Sequence, residues 1–222
     1  MSRKNRTGKL PDRRLGAPVK QTDLGYYLII TDTEATEKCY FEGLYKSFPQ
    51  KIQNHLRIDV VSNIKTQKLI DKSLELLNQD PQFREGWIVF DRDRVPDFDK
   101  IISDAEKSGL NVGWSNSCFE IWMFAYFEEM HTFVESKKCW SEFSRVFKKN
   151  TLRDYSKSDP QLYRLLFEKG NEQRALSIAK QRYNNLTAEN LKFSEMYSCT
   201  TVFKIVQKIR DKVKNARADG LN

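Results

Sequence analysis

The chain has 222 residues, 39% of them hydrophobic and 12% aromatic, and a net charge of +8. That length can bury a sizeable core and that apolar content excludes a disordered chain, so one large domain is the default. No apolar stretch is long enough to span a bilayer, and the basic N-terminus leads into no apolar run, so neither a transmembrane helix nor a signal peptide is expected. Cys39, Cys118, Cys139 and Cys199 are scattered without a Cys-x-x-Cys pair, and His55 and His131 are far apart. Structural zinc and a disulfide framework are not expected, and a reducing cytoplasm is the natural setting.

The charge is uneven. Residues 1–20 hold Arg3, Lys4, Arg6, Lys9, Arg13, Arg14 and Lys20 against Asp12 alone, a net +6, so only +2 is left for the other 202. Gly8, Pro11, Gly16 and Pro18 interrupt a stretch without apolar periodicity, and residues 1–24 read as a flexible basic arm. Such an arm neutralises phosphates and releases their counterions, which makes Arg3, Lys4, Arg6, Arg13 and Arg14 candidate nucleic-acid contacts. The bland reading is a solvated terminus that aids solubility.

In chain order, Tyr26–Thr31 is a continuous apolar run after Gly25 and predicts a first strand. Residues Glu34 to Phe48 predict a helix closed by Pro49, with Tyr40, Leu44 and Phe48 near one face. Leu56–Val61 alternates as a second strand, and Thr66 to Asn78 predicts a helix ahead of a turn at Asp80-Pro81. Trp87–Phe90 is the third strand. Asp97 is a candidate cap for a helix Phe98–Ser108, ended by Gly109 at the C′ position. Leu110–Trp114 is a short fourth strand, and Ser117 is a candidate cap for an aromatic helix running through Phe127, whose rings read as core. Beyond residue 130 the pattern is helical near 138–149, 161–168, 171–183 and 200–215, with no further strand. Strands alternating with helices predict an α/β fold: a mostly parallel sheet flanked by helices over residues 25–130, with a helical extension over 131–222 packed on the same domain.

Two of these strands end abruptly in acids. One reads Ile29-Ile30-Thr31-Asp32-Thr33-Glu34-Ala35-Thr36-Glu37 and the other Trp87-Ile88-Val89-Phe90-Asp91-Arg92-Asp93. Carboxylates just past the carboxyl ends of parallel strands lie in the crevice where open α/β sheets bind ligands. Several of them converging there repel one another unless a cation intervenes, and a hard ion such as Mg²⁺ or Mn²⁺ suits oxygen donors. The chemistry this favours is metal-dependent phosphoryl transfer, most readily a nuclease. Asp91 and Asp93 are candidate metal ligands, weighed against an acidic turn paired with Arg92 and Arg94. Asp32 is the third acid, weighed against a strand-end Asx turn or helix cap. Glu37 is a candidate catalytic acid or merely a favoured first-turn helix acid. Glu120, inside an apolar helix, is a candidate catalytic residue, because a carboxylate there demands a partner, whether a metal, an arginine or a backbone amide. Lys157 is a candidate counter-charge for a transition state, and Arg92 a candidate nucleic-acid contact. Ser115 and Asn116 are candidate phosphate contacts or, more simply, caps for the aromatic helix. An aspartyl phosphatase is a weaker alternative, hinted at only by Val95 and Lys157.

An acid after the first strand with Asp-x-Asp after the third resembles the Toprim fold. More closely, the chain resembles the RloB family of bacterial defence proteins, related to the AbiL abortive-infection component. The resemblance rests on Thr36-Glu37 with Tyr40-Phe41, on Val89-Phe90-Asp91-Arg92-Asp93, on Trp114-Ser115-Asn116 and on Cys118-Phe119-Glu120-Ile121-Trp122. Weaker echoes are Lys157 after Tyr155 and Thr200-Thr201-Val202, and the whole covers roughly residues 25 to 210. It implies a Mg²⁺-dependent nuclease acting on RNA, tRNA among the candidates, or on DNA in antiphage defence. It also implies Asp32 as general acid/base or metal ligand beside Asp91 and Asp93, and an ABC- or SMC-like ATPase partner encoded nearby. A homodimer is left open. The family pattern has Glu-Gly where this chain has Asp32-Thr33, proline at Ser117, histidine at Tyr126 and Asn-Pro at Tyr197-Ser198. Those departures sustain a second reading, a catalytically decayed Toprim scaffold that binds nucleic acid or a partner.

Overall fold

The apolar runs form the middle of a five-stranded sheet. The computed structural model describes residues 24–79, 84–93 and 95–218. Strands β1 (Gly25–Thr31), β2 (Leu56–Val61), β3 (Arg84–Asp91) and β4 (Asn111–Asn116) are parallel, and β5 (Cys199–Thr200) adds antiparallel to β4, in the order β2-β1-β3-β4-β5. Helices α1 (Thr36–Lys46), α2 (Gln50–Gln53), α3 (Leu69–Gln79) and α4 (Phe98–Lys107) lie between the parallel strands. After β4 come α5 (Glu120–Phe124), α6 (Ser136–Thr151), α7 (Leu162–Lys169), α8 (Glu172–Ala188) and, past β5, α9 (Val202–Ala218). No helix among the described residues is long and apolar enough to cross a membrane.

Both faces of the central strands are covered, which is why β1 and β3 show no polar alternation. Tyr27, Ile29, Trp87 and Val89 join a core with Tyr40, Phe119, Trp122, Phe143 and Val206. Leu28, Ile30, Ile88 and Phe90 point the other way, onto Leu69, Phe98 and Ile102. The α/β architecture expected from the sequence is therefore present, helices α6 to α9 included.

Several local expectations are corrected. Pro49 does not close a helix: α1 stops at Lys46, and Pro49 is the N-cap of the short α2. The aromatic helix ends at Phe124, and its N-cap is Phe119 rather than Ser117, whose buried Oγ has no hydrogen-bond partner. Asp97 holds the N-cap position of α4 without a side-chain bond to it. Gly109 follows α4 with φ +79°, the left-handed turn expected there. A strand does occur beyond residue 130: β5 covers Cys199–Thr200, and the helix expected from about residue 200 starts just after it, at Val202.

The strand order positions the site. β2 lies on one side of β1 and β3 on the other, so the winding reverses between β1 and β3, and a crevice opens at their carboxyl ends. Thr31 pairs with Val89 in register, so Asp32, just past β1, and Asp91, the last residue of β3, both emerge at that crevice.

Candidate functional site

Asp32 is fixed by its neighbours. Thr66, in the 3-10 turn Thr66–Lys68 ahead of α3, donates to Asp32 Oδ2 at 2.7 Å. The Asn63 and Ile64 amides donate to the carbonyls of Thr33 (3.0 Å) and Thr31 (3.2 Å), tying that loop to the end of β1. Asp32 Oδ1 is buried and unpartnered. Burial raises the Asp32 pKa, opposed by the Thr66 hydroxyl and by backbone amides.

Glu37, in the first turn of α1, is fully buried. Its Oε2 accepts from the Thr33 hydroxyl, and its Oε1 has no partner. Burial, with added repulsion from Asp32 and Glu120, pushes its carboxyl up to about 8, against the pull of its own amide and of Lys157. Asp91 completes the trio, with Oδ1 again buried and unpartnered. Burial first, then Glu37, Glu120 and Asp32, hold its carboxyl well above the usual range, although the Phe119 amide works the other way.

Glu120 finds the partners its surroundings demand. It is 1% exposed, accepts from the Tyr155 hydroxyl at 2.9 Å and lies 3.4 Å from Lys157 Nζ. Burial alone would lower the Lys157 pKa, but Glu120 outweighs it and the ammonium is held above its ordinary value. Cys118 lies beside this group, and its thiol is kept protonated by the contact with Cys139 and by burial, so it is no thiolate nucleophile.

A cleft of about 490 Å³ gathers these groups: Asp32, Asp91, Asp93, Glu120 and Lys157 line it, together with Lys137 and Trp140 of α6. Asp93 stands exposed at its mouth. Glu37 is not on the lining and reaches the group electrostatically. Arg92 is directed elsewhere, its guanidinium 5.3 Å from the Tyr197 ring centre and lining a smaller neighbouring cleft with Asp93 and Ser117. Ser115 and Asn116 neither cap α5 nor face the cleft. Ser115 Oγ lies 3.0 Å from Thr200 Oγ1, and the Asn116 amide donates to the carbonyls of Phe193 and Ser194, so both tie β4 to the C-terminal segment. Arg3, Lys4, Arg6, Arg13 and Arg14 lie outside the described residues, as does Arg94. Sequence reasoning missed Thr66, Lys137 and Trp140, which stand in no acidic motif, and assigned no role to Tyr155 although it sits two residues before Lys157.

The donor chemistry suits a hard divalent cation. Three unpartnered buried carboxylate oxygens, on Asp32, Glu37 and Asp91, share one mutually repelling neighbourhood, and oxygen-only donors of this kind are what Mg²⁺ and Mn²⁺ prefer. Among the described residues no three acids, cysteines or histidines converge into a ready-made coordination shell, so binding would have to draw the carboxylates inward.

A search of curated proteins and a search of solved structures each found no match. The family model described as RloB-like protein matches residues 27–209, a span that contains every residue lining the acidic cleft. The chain belongs to the RloB-like protein family.

Proposed function

We propose that this chain is a divalent-metal-dependent nuclease of the Toprim type, hydrolysing phosphodiester bonds of RNA, with tRNA as one target class, or of DNA. The observation that carries this reading is the trio of unpartnered carboxylate oxygens at the switch point of the sheet. Asp32, Asp91 and, from the mouth, Asp93 would hold Mg²⁺ or Mn²⁺. The ion would supply charge neutralisation at the scissile phosphate and a nucleophile at neutral pH. If Asp91 and Asp93 alone hold the ion, Asp32, beside them in the cleft, would instead serve as the proton shuttle. Lys157 would present its positive charge to non-bridging phosphate oxygens, its ammonium paired with Glu120, which the Tyr155 hydroxyl in turn holds. The role in antiphage defence, and an ABC- or SMC-like ATPase as regulator, follow from the family resemblance.

A second reading is favoured by the carboxylates that do not converge into a shell: a non-catalytic scaffold that binds nucleic acid or a partner protein. The two separate in one experiment. The purified protein, alone and with any ABC- or SMC-like ATPase encoded beside it, is incubated with tRNA and with single- and double-stranded RNA and DNA in Mg²⁺ or Mn²⁺, beside Asp91→Ala. Cleavage is expected that needs the metal and falls about a hundredfold or more in the variant, since even outer-shell partners of a metal cost ten- to a hundredfold. Binding without cleavage, unchanged in Asp91→Ala, would establish the scaffold instead.

A further inference from the structure

The acidic cleft has an aromatic side that its carboxylates do not explain. Lys137 and Trp140 stand three residues apart on α6, so they share a helix face. The buried stripe of α6 runs through Cys139, Phe143, Val146 and Phe147 and leaves Trp140 out. Trp140 is 43% exposed, whereas Trp87, Trp114 and Trp122 are at most 3% exposed. Lys137 is exposed and makes no ion pair among the described residues. Lys157 is 59% exposed even while paired with Glu120.

An exposed indole beside two accessible lysines, over a set of acids suited to a cation, matches a ligand that alternates phosphates with flat rings. The lysines meet phosphates, and the indole offers a π-face to a ring. An acidic peptide would satisfy the lysines and leave Trp140 without a partner. A base within a continuous duplex already stacks on both neighbours, so it reaches an external indole only at the cost of unstacking. An unpaired nucleotide has no such cost. We propose that Trp140 is the stacking platform for an unpaired nucleotide flanking the scissile phosphate, so that the cleft selects single-stranded segments, loops and overhangs over continuous duplex. This rests on the nuclease reading of the same cleft.

Trp140 supplies its own probe, because it is the exposed member of the chain's four tryptophans. The full-length protein is titrated with short single-stranded and duplex oligonucleotides in Ca²⁺. Binding is followed by anisotropy of an end-labelled strand and, separately, by quenching of tryptophan emission with unlabelled strands. Single strands are expected to quench the emission and duplexes to bind without quenching. Trp140→Ala should weaken single-strand binding about tenfold, the size of one base–aromatic stack, and leave duplex binding unaltered. Trp140→Phe, which keeps a ring, should retain most of the affinity. Single strands that bind without quenching, and equally well to Trp140→Ala, would overturn the stacking platform while leaving the nuclease reading intact. Absence of both binding and Mg²⁺-dependent cleavage would overturn the nuclease reading and this inference with it.

Discussion

Burying Glu37 beside Asp32 and Glu120 favours its uncharged form, and the effect on stability has a definite sign. The carboxyl titrates from a reference of 4.5 when unfolded and near 8 when folded. Between those values the native chain keeps a proton that the unfolded chain has released, so stability falls as pH rises through the window. The contribution is complete below 4.5 and lost once the pH passes the folded value. Glu37→Gln keeps the shape and removes the titration. In chelator, the variant is expected to match the parent near pH 4.5 and to exceed it at pH 8 by on the order of 2 kcal/mol, about 4–8 °C in Tm. Thermal melts at both pH values check this, and a variant that melts lower than the parent at pH 8 would show that the buried carboxyl is not a source of strain. At this scale the sequence was readable where a strand ends in acids, as at Asp32, Asp91 and Asp93. The burial of Glu37 was not, because an acid in a first helical turn is equally at home in water. Nor were the partners of Glu120, since Tyr155 arrives from 35 residues away.

Helices α1, α7, α8 and α9 are joined by one buried polar cluster, none of whose members lines the cleft. The Glu172 carboxylate receives Arg210 Nε at 2.6 Å, the Tyr163 hydroxyl at 2.9 Å and the Tyr126 hydroxyl at 3.1 Å, and the Tyr126 oxygen lies 2.7 Å from that of Tyr40. Glu172 is 6% exposed at its side chain and Arg210 20%, so each is the other's main compensation. Arg210→Ala would leave a buried carboxylate unpaired, at a cost of about 3 kcal/mol or roughly 6–12 °C in Tm. Adding Glu172→Gln should recover part of that loss, because the uncompensated charge goes with it. Denaturation of the single and double variants tests the coupling, and equal stabilities would show that the pair contributes nothing. The Tyr126 hydroxyl links the two halves of this cluster, donating to Glu172 and lying beside the Tyr40 oxygen. No sequence pattern announces such a network, because its members come from five separate segments. The helices themselves were legible from their apolar spacing, and β5 was not: two residues are too few to show alternation. That strand exists through its pairing with Ser115 and Asn116 and through the Thr200 and Thr201 hydroxyls bonded to β4.

Charge is divided across the whole chain in a way that sets how a nucleic acid would be captured. Of the net +8, +6 belongs to residues 1–20, so the remainder is close to neutral while its cleft is lined by Asp32, Asp91, Asp93 and Glu120. A metal-free cleft of that kind repels phosphates, and Lys137 and Lys157 act only at short range once screened by salt. Under the nuclease reading, attraction at a distance is expected from the basic residues of positions 1–20, Arg3, Lys4, Arg6, Arg13 and Arg14 among them. Each phosphate they neutralise releases counterions and steepens the fall of log K with log salt by about 0.9 for duplex and 0.7 for single strands. Deleting residues 1–20 is expected to weaken binding most at low salt and to flatten that slope by up to about five. The single-strand quench of Trp140 should persist, because stacking carries little salt dependence. Anisotropy titrations of the full chain and the deletion across a salt series measure both effects at once. A slope unchanged by the deletion would mean that these residues touch no phosphate, and that affinity and selectivity both originate in the cleft.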